Sequence, residues 1–187
     1  MHTAELLDAS QSVLLVIDMQ QRLLQAIPQP RREELLTHSE WLIHSAKLLN
    51  IPILTTEQYP KGLGKTDNKI MTALDGLPVI EKTCFSCYQS NPFTEQLNTL
   101  KRKHVVLCGI ETHVCVLQTA HELAAEGYRC FIAEDATASR SIKHHSNALN
   151  RLARVESIII SNVESVMFEW LRDANHSEFK TISKLLK

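Results

Sequence analysis

Asp18, Lys82 and Cys115 each stand at or just beyond the end of an apolar run, and together they supply a base, a cation and a nucleophile. A cysteine attacks as its thiolate, so it needs a group to take the thiol proton and a positive neighbour to favour the charge. A carboxylate can accept that proton and later return it to a leaving group, and an ammonium can supply the positive charge. Cys115 falls within the first turn or so of a helix expected over 112–126. There the backbone N–H groups and the helix dipole favour a thiolate. Each residue also has a plain alternative: strand-end aspartates cap loops, lysines are solvated, and most cysteines are small buried apolar residues. Position alone leaves both accounts open. Of the other thiols, Cys108 and Cys130 lie in apolar runs, while Cys84 and Cys87 form a C-x-x-C. That pair could serve metal or redox chemistry, but no second pair at zinc spacing accompanies it and it does not open a helix after a first strand. An odd number of cysteines, five, does not describe a secreted disulfide framework.

The elements that must position these residues alternate along the chain. Apolar, Val-, Ile- and Leu-rich runs at 12–18, 52–56, 78–82, 104–108, 128–133 and 155–161 predict six strands. Helical spacing fills 31–50, 112–126 and 141–154. Ser90-Asn91-Pro92 starts another helix reaching Lys101, Gly127 stops the one before it, and Asn162 caps a last one to about Asp173. The pattern predicts one α/β domain over 1–187: a three-layer, Rossmann-like fold with a six-stranded, mostly parallel sheet and helices on both faces. Ligands of such folds sit outside the carboxyl ends of the strands. That rim would carry Asp18, 56–59, Lys82, 109–115 and Asp135, the last expected to cap the turn that follows it. The segment 57–68 reads as a loop over the site or a long crossover. His144 and His145 read as a solvated helix face, and His113 as pocket lining or plain packing.

Composition narrows the function classes. Hydrophobic residues make up 44% of the 187, enough for a core, and the formal net charge is −1. No basic run asks for nucleic acid or a membrane surface. Neither a secretory leader nor a membrane-spanning stretch is visible, so a cytoplasmic protein acting on a small molecule is expected.

Four segments resemble the isochorismatase-like hydrolases. Ile17-Asp18-Met19-Gln20 is similar to their D-M-Q, and Glu81-Lys82-Thr83 with Phe85-Ser86 to their lysine segment. Gly109-Ile110-Glu111-Thr112-His113-Val114-Cys115-Val116 is similar to their nucleophile segment, and Asp135-Ala136-Thr137-Ala138-Ser139-Arg140 to the stretch after their fifth strand. The resemblance runs from about residue 12 to 172. It implies that Cys115 is the nucleophile, that Asp18 is the general acid/base, and that Lys82 stabilises the thiolate and holds Asp18. It also implies a non-proline cis peptide between Ile110 and Glu111, with the N–H groups of Glu111 and Cys115 forming an oxyanion hole. Gln58, Tyr59, Phe85 and Ile110 are the candidate pocket residues. The metal-binding Asp-x-His of the superfamily's nicotinamidases has no counterpart in Thr55-Thr56-Glu57-Gln58-Tyr59-Pro60, so no metal or other cofactor is expected. Residues 58–64 resemble the isochorismatase-domain-containing subgroup.

With its cysteine in place, the chain is expected to cleave a small amide or a carbamoyl or ureido C–N bond through a thioester. The alternatives are the vinyl-ether hydrolysis of the namesake enzymes, which needs no thiol, a scaffold or interaction protein that has kept the fold, and a thiol-redox protein using Cys84 and Cys87. The family usually assembles, so a homo-oligomer, a dimer or larger, is expected. Val166, Met167, Phe168, Trp170 and Leu171 would cover a partner or pack on the sheet, and Trp41 and Trp170 read as core or subunit contacts.

Overall fold

In a computed structural model, which describes residues 6–186, the chain enters the sheet at Ser12–Ile17 (β1). It returns at Ile53–Gln58 (β2), Val79–Lys82 (β3), His104–Ile110 (β4), Arg129–Ala138 (β5) and Ile158–Ser161 (β6). Between β1 and β3 lie Gln21–Gln25 (α1), Arg31–Leu48 (α2), Pro60–Leu63 (α3) and Asn68–Leu74 (α4). Asn91–Leu100 (α5), Leu117–Ala125 (α6) and Ile142–Leu152 (α7) join the later strands, and Val163–Leu171 (α8) and Phe179–Leu185 (α9) follow β6. The strands pair in parallel in the order β3-β2-β1-β4-β5-β6. The order reverses between β1 and β4, and a crevice opens at the carboxyl ends of such a pair.

The unbroken apolar run of β1 follows from burial on both faces. Val13, Leu15 and Ile17 pack into one core with Phe93 and Leu97 of α5, Ala120 and Leu123 of α6, and Ala148 and Leu152 of α7. Leu14 and Val16 point the other way, into a core with Leu35, Leu42 and Ile43 of α2, Ile70 of α4, and Val166, Met167 and Trp170 of α8. Alternation with period two thus feeds both helical layers. Burying a side chain of this kind contributes about 1.5–3 kcal/mol.

The structure departs from the sequence reading at the strand ends. β2, β4 and β5 run past their apolar stretches to Gln58, Ile110 and Ala138. The polar end of β2 is buried and bonded at the rim, Glu57 accepting from Thr66 and Gln58 from Lys82. Pairing of β4 with β5 shifts between Leu107 and Gly109, which re-aims both strands there. The expected 57–68 loop is the end of β2 followed by α3, pinned by Gln20. Its Nε2 donates to the carbonyl oxygens of Gln58 (3.0 Å) and Gly64 (2.6 Å), and its Oε1 accepts from the Gln58 N–H (2.7 Å). The short helices α1, α4 and α9 were also unforeseen. In α8, Val166, Met167, Trp170 and Leu171 are spent inside the chain, leaving only Phe168 of the expected partner face exposed, against Phe179.

Candidate active site

Asp18 follows the last residue of β1 in a left-handed conformation (φ 51°), which short polar residues tolerate. Its N–H donates to the Thr56 carbonyl (3.1 Å) and its own carbonyl accepts from Gln20 (2.7 Å). Lys82 ends β3. Its Nζ donates to Asp18 Oδ2 (2.7 Å) and Gln58 Oε1 (2.7 Å), and approaches the carbonyl oxygens of Cys84 (3.3 Å) and Phe85 (3.2 Å). An ammonium has three protons, so the two carbonyls share one. Neither the Lys82 nor the Asp18 side chain has any exposed surface. Burial opposes the charged form of Lys82, but Asp18 with Cys87 and Cys115 outweighs it, and the net effect raises its pKa.

Cys115 arrives from β4. The Ile110–Glu111 peptide is cis, as the resemblance implied. Thr112–Val116 then form a π-helical turn before α6, where a plain first helical turn was expected. Cys115 is 5% exposed, and its thiol lies close enough to Asp18 and Lys82 to feel both charges. The close approach of β1 and β4 brings the two segments together. Gly109 (φ 115°) pairs with Ile17, and a Cβ on it would lie 2.0 Å from the Ile17 carbonyl oxygen. The three residues singled out by position therefore meet. Their electrostatics differ from expectation, however. Burial first, and then Asp18, push the Cys115 thiol well above its ordinary range, and Lys82 offsets this only in part. The shift is upward, opposite to the lowering expected at a helix start, because the dipole argument omitted the low-dielectric surroundings.

The segment before Cys115 is fastened to the start of α7 by three side-chain links. The Glu111 carboxylate accepts from the Arg140 backbone N–H (2.9 Å), Nε (3.0 Å) and Nη2 (2.6 Å). Burial raises the Glu111 pKa, but Arg140 outweighs it and the net shift is downward. Thr112 Oγ1 and His145 Nδ1 share a hydrogen bond (2.9 Å), and so do His113 Nδ1 and Ser139 Oγ (2.9 Å). His113 also stacks on His144 at 4.8 Å. His145 is buried, not solvated as read from its neighbours. Burial first, then Arg31, depress its pKa to about 4, which makes it a neutral partner.

The expected pocket residues separate. Gln58 is buried and holds Lys82, with its Nε2 donating to the Thr83 carbonyl (2.6 Å). Tyr59 and Phe85 are exposed at the rim, and the Tyr59 ring lies on Gly62, where a Cβ would sit 2.4 Å from it. Tyr59 borders a cavity of about 390 Å³ with Lys82, Cys84, Ser90 and Pro92. Ile110 has no exposed surface and packs in the layer opposite Cys115. Asp135 accepts from the Val163 N–H (2.8 Å) and pairs with His38 (3.2 Å). It thus takes the first N–H of α8, whose N-cap is Asn162 as expected, and does not cap the turn after itself. The five cysteines are free thiols, and Cys87 is buried beside Thr56. Among the described residues, no three His, Cys, Asp or Glu side chains gather where a metal could be held. No described helix is long and apolar enough to cross a membrane.

The doubly wound parallel sheet, with Asp18, Lys82 and Cys115 at its topological switch, defines the class as an α/β protein with a polar crevice at the carboxyl ends of its strands. The isochorismatase domain pattern matches residues 12–163, and the chain belongs to that family of hydrolases. It is 42% identical over 152 residues to a secreted isochorismatase effector of Phytophthora sojae, covering 78% of this chain and 71% of that one. It is 38% identical over 181 residues to the isochorismatase domain-containing protein 1 of Danio rerio, covering 97% of this chain but 62% of the relative's length. Among solved structures, one described as the MAR1 ribonuclease of Caenorhabditis elegans superposes with a TM-score of 0.90 at 33% identity, covering 97% of this chain and 92% of that one.

Proposed function

We propose that this chain is a cysteine hydrolase that cleaves a small amide or a carbamoyl or ureido C–N bond, with Cys115 as nucleophile, Asp18 as general acid/base and Lys82 as their electrostatic partner. One observation carries the reading: a fully buried carboxylate is bonded to the Lys82 ammonium at 2.7 Å, and the Cys115 thiol feels the charge of both. Attack begins with transfer of the Cys115 thiol proton to Asp18 as Sγ closes on the carbonyl carbon. The tetrahedral oxyanion is received by the N–H groups of Glu111 and Cys115; a donor of this kind is worth about 2.7–4 kcal/mol in the barrier. The amine leaves with the proton held by Asp18, and water, deprotonated by the same carboxylate, hydrolyses the thioester. Lys82 keeps Asp18 oriented and ionised between steps. With Asp18 and Lys82 sealed and Cys115 nearly so, a small substrate suits the site better than a polymer.

No cofactor takes part in this scheme. Homo-oligomer assembly remains part of the reading on family resemblance alone. A panel of small amides, carbamoyl compounds, a vinyl ether and an RNA oligonucleotide, assayed with Cys115→Ala and Asp18→Asn beside the wild type, tests the proposal. Turnover of an amide or carbamoyl compound that both substitutions abolish is expected. Hydrolysis of a vinyl ether or of RNA that Cys115→Ala leaves intact would overturn it.

A further inference from the structure

Asp18 has two carboxylate oxygens and three side-chain neighbours. Lys82 Nζ takes Oδ2 at 2.7 Å. Thr56 Oγ1 donates to Oδ1, also at 2.7 Å, and Thr56 has no exposed surface. A hydroxyl has one proton, so that of Thr56 is committed to the carboxylate. Its 3.8 Å contact with Cys87 Sγ then has a fixed direction: the Cys87 S–H donates to a lone pair of Thr56. The state of Cys87 agrees, since burial first and then Asp18 push its thiol up to about 12. Cys87 is itself fixed, its backbone N–H donating to Thr119 Oγ1 of α6 at 2.9 Å. Thr56 is held too. It lies opposite Ile17 in the β1–β2 ladder and takes the Asp18 N–H on its own carbonyl at 3.1 Å.

We propose that Thr56 is a positioning residue for Asp18 and that Cys87 sets the Thr56 hydroxyl. The chain Cys87 S–H to Thr56 O–H to Asp18 Oδ1, opposite Lys82 on Oδ2, fixes the plane of the carboxylate and leaves it turned toward Cys115. This rests on the reading of Asp18 as base and Cys115 as nucleophile. It gives the buried member of the C-x-x-C a role with no disulfide and no metal. A hydrogen bond to an ionised carboxylate is among the stronger ones, so its loss should be visible in the rate of the step that uses the base.

The test needs no knowledge of the substrate. The rate of Cys115 alkylation by iodoacetamide, followed by peptide mapping, is measured at neutral pH in wild type, Thr56→Val, Thr56→Ser, Cys87→Ala and Asp18→Asn. Thr56→Val keeps the shape and removes the donor, and should slow labelling of Cys115 by about tenfold. Thr56→Ser should restore it to within about twofold, and Cys87→Ala should slow it by an intermediate factor. Rescue by serine separates a hydrogen-bonding role from packing, since serine packs less well than valine there. Should Thr56→Val not fold, Thr56→Ala takes its place with the same expected loss. Wild-type labelling in the valine or alanine variant, or a serine variant as slow as the valine one, overturns the proposal. If Asp18→Asn labels at or above the wild-type rate, the base assignment falls and this inference with it. If Asp18→Asn is slow while Thr56→Val is normal, the inference alone falls.

Discussion

Replacing Lys82 by Met leaves a carboxylate buried without its cation, and the size of the effect follows from the geometry. At 2.7 Å and an effective dielectric of about 20, the Lys82–Asp18 pair attracts by roughly 6 kcal/mol. Part of that offsets the desolvation of the two charges. Breaking such a pair by removing one partner typically costs about 3–5 kcal/mol. Methionine fills much of the lysine volume but donates nothing, so Gln58 Oε1 and the carbonyls of Cys84 and Phe85 lose a donor as well. We expect Lys82→Met to lose at least about 3 kcal/mol in urea unfolding followed by circular dichroism, or about 10 °C in midpoint for a chain of this size. Adding Asp18→Asn removes the stranded charge and should return about 2 kcal/mol or more of the loss. The sign of the pH dependence is fixed by the raised Lys82 pKa. The lysine's contribution is complete below its unfolded value of about 10.4 and fades only as pH rises through the higher folded one. The cost should therefore be constant between about pH 6 and 8. A Lys82→Met variant within about 0.5 kcal/mol of wild type, or a double variant no more stable than the single one, would refute the reasoning.

Three further outcomes are expected. His38 is raised, chiefly by its hydrogen bond to Asp135; Asp135 is lowered because His38 and the Val163 N–H outweigh its burial. The histidine's contribution is present below 6.5 and lost as pH rises through its folded pKa, while the aspartate's is present above 3.8 and lost as pH falls. Wild type should thus gain most over His38→Gln near pH 5 and least near pH 8, and melting midpoints across that range check it. Gly109→Ala would set a methyl 2.0 Å from the Ile17 carbonyl oxygen at a φ of 115°; a loss of more than about 3 kcal/mol or failure to fold is expected, read by denaturation or soluble yield. His145 should stay neutral down to about pH 4, and a proton NMR titration of its ring showing a midpoint near 6.5 would contradict its placement.

The alternation of apolar runs with amphipathic stretches made the sheet and its two helical layers readable, and strand ends pointed to Asp18, Lys82 and Cys115. What escaped was set by neighbours remote in sequence. Thr56 and Gln58 reach Asp18 and Lys82 across 38 and 24 residues, and no local spacing records such pairs. Sequence position sets Cys115 at a helix start, which favours a thiolate, whereas burial raises its pKa, and burial is a tertiary property. His145 was legible in principle: it shares its helix face with Ala148 and Leu152, both buried, a spacing obscured by the polar residues between them. Asp135 was misread because its partners, His38 and Val163, flank it from distant elements.

The side chains of the site come from the ends of β1, β2 and β3 and from the turn after β4, with Asp18 and Lys82 separated by 64 residues. No segment of the chain holds even two of Asp18, Lys82 and Cys115 at working distance by local structure. A partly assembled sheet, whatever its helical content, is therefore chemically silent, with an exposed Cys115 that behaves as an ordinary thiol. Recovery of the native labelling rate during refolding should trail the return of secondary structure and coincide with docking of the edge strand β3. The thiol thus serves as a built-in clock for the last step of assembly.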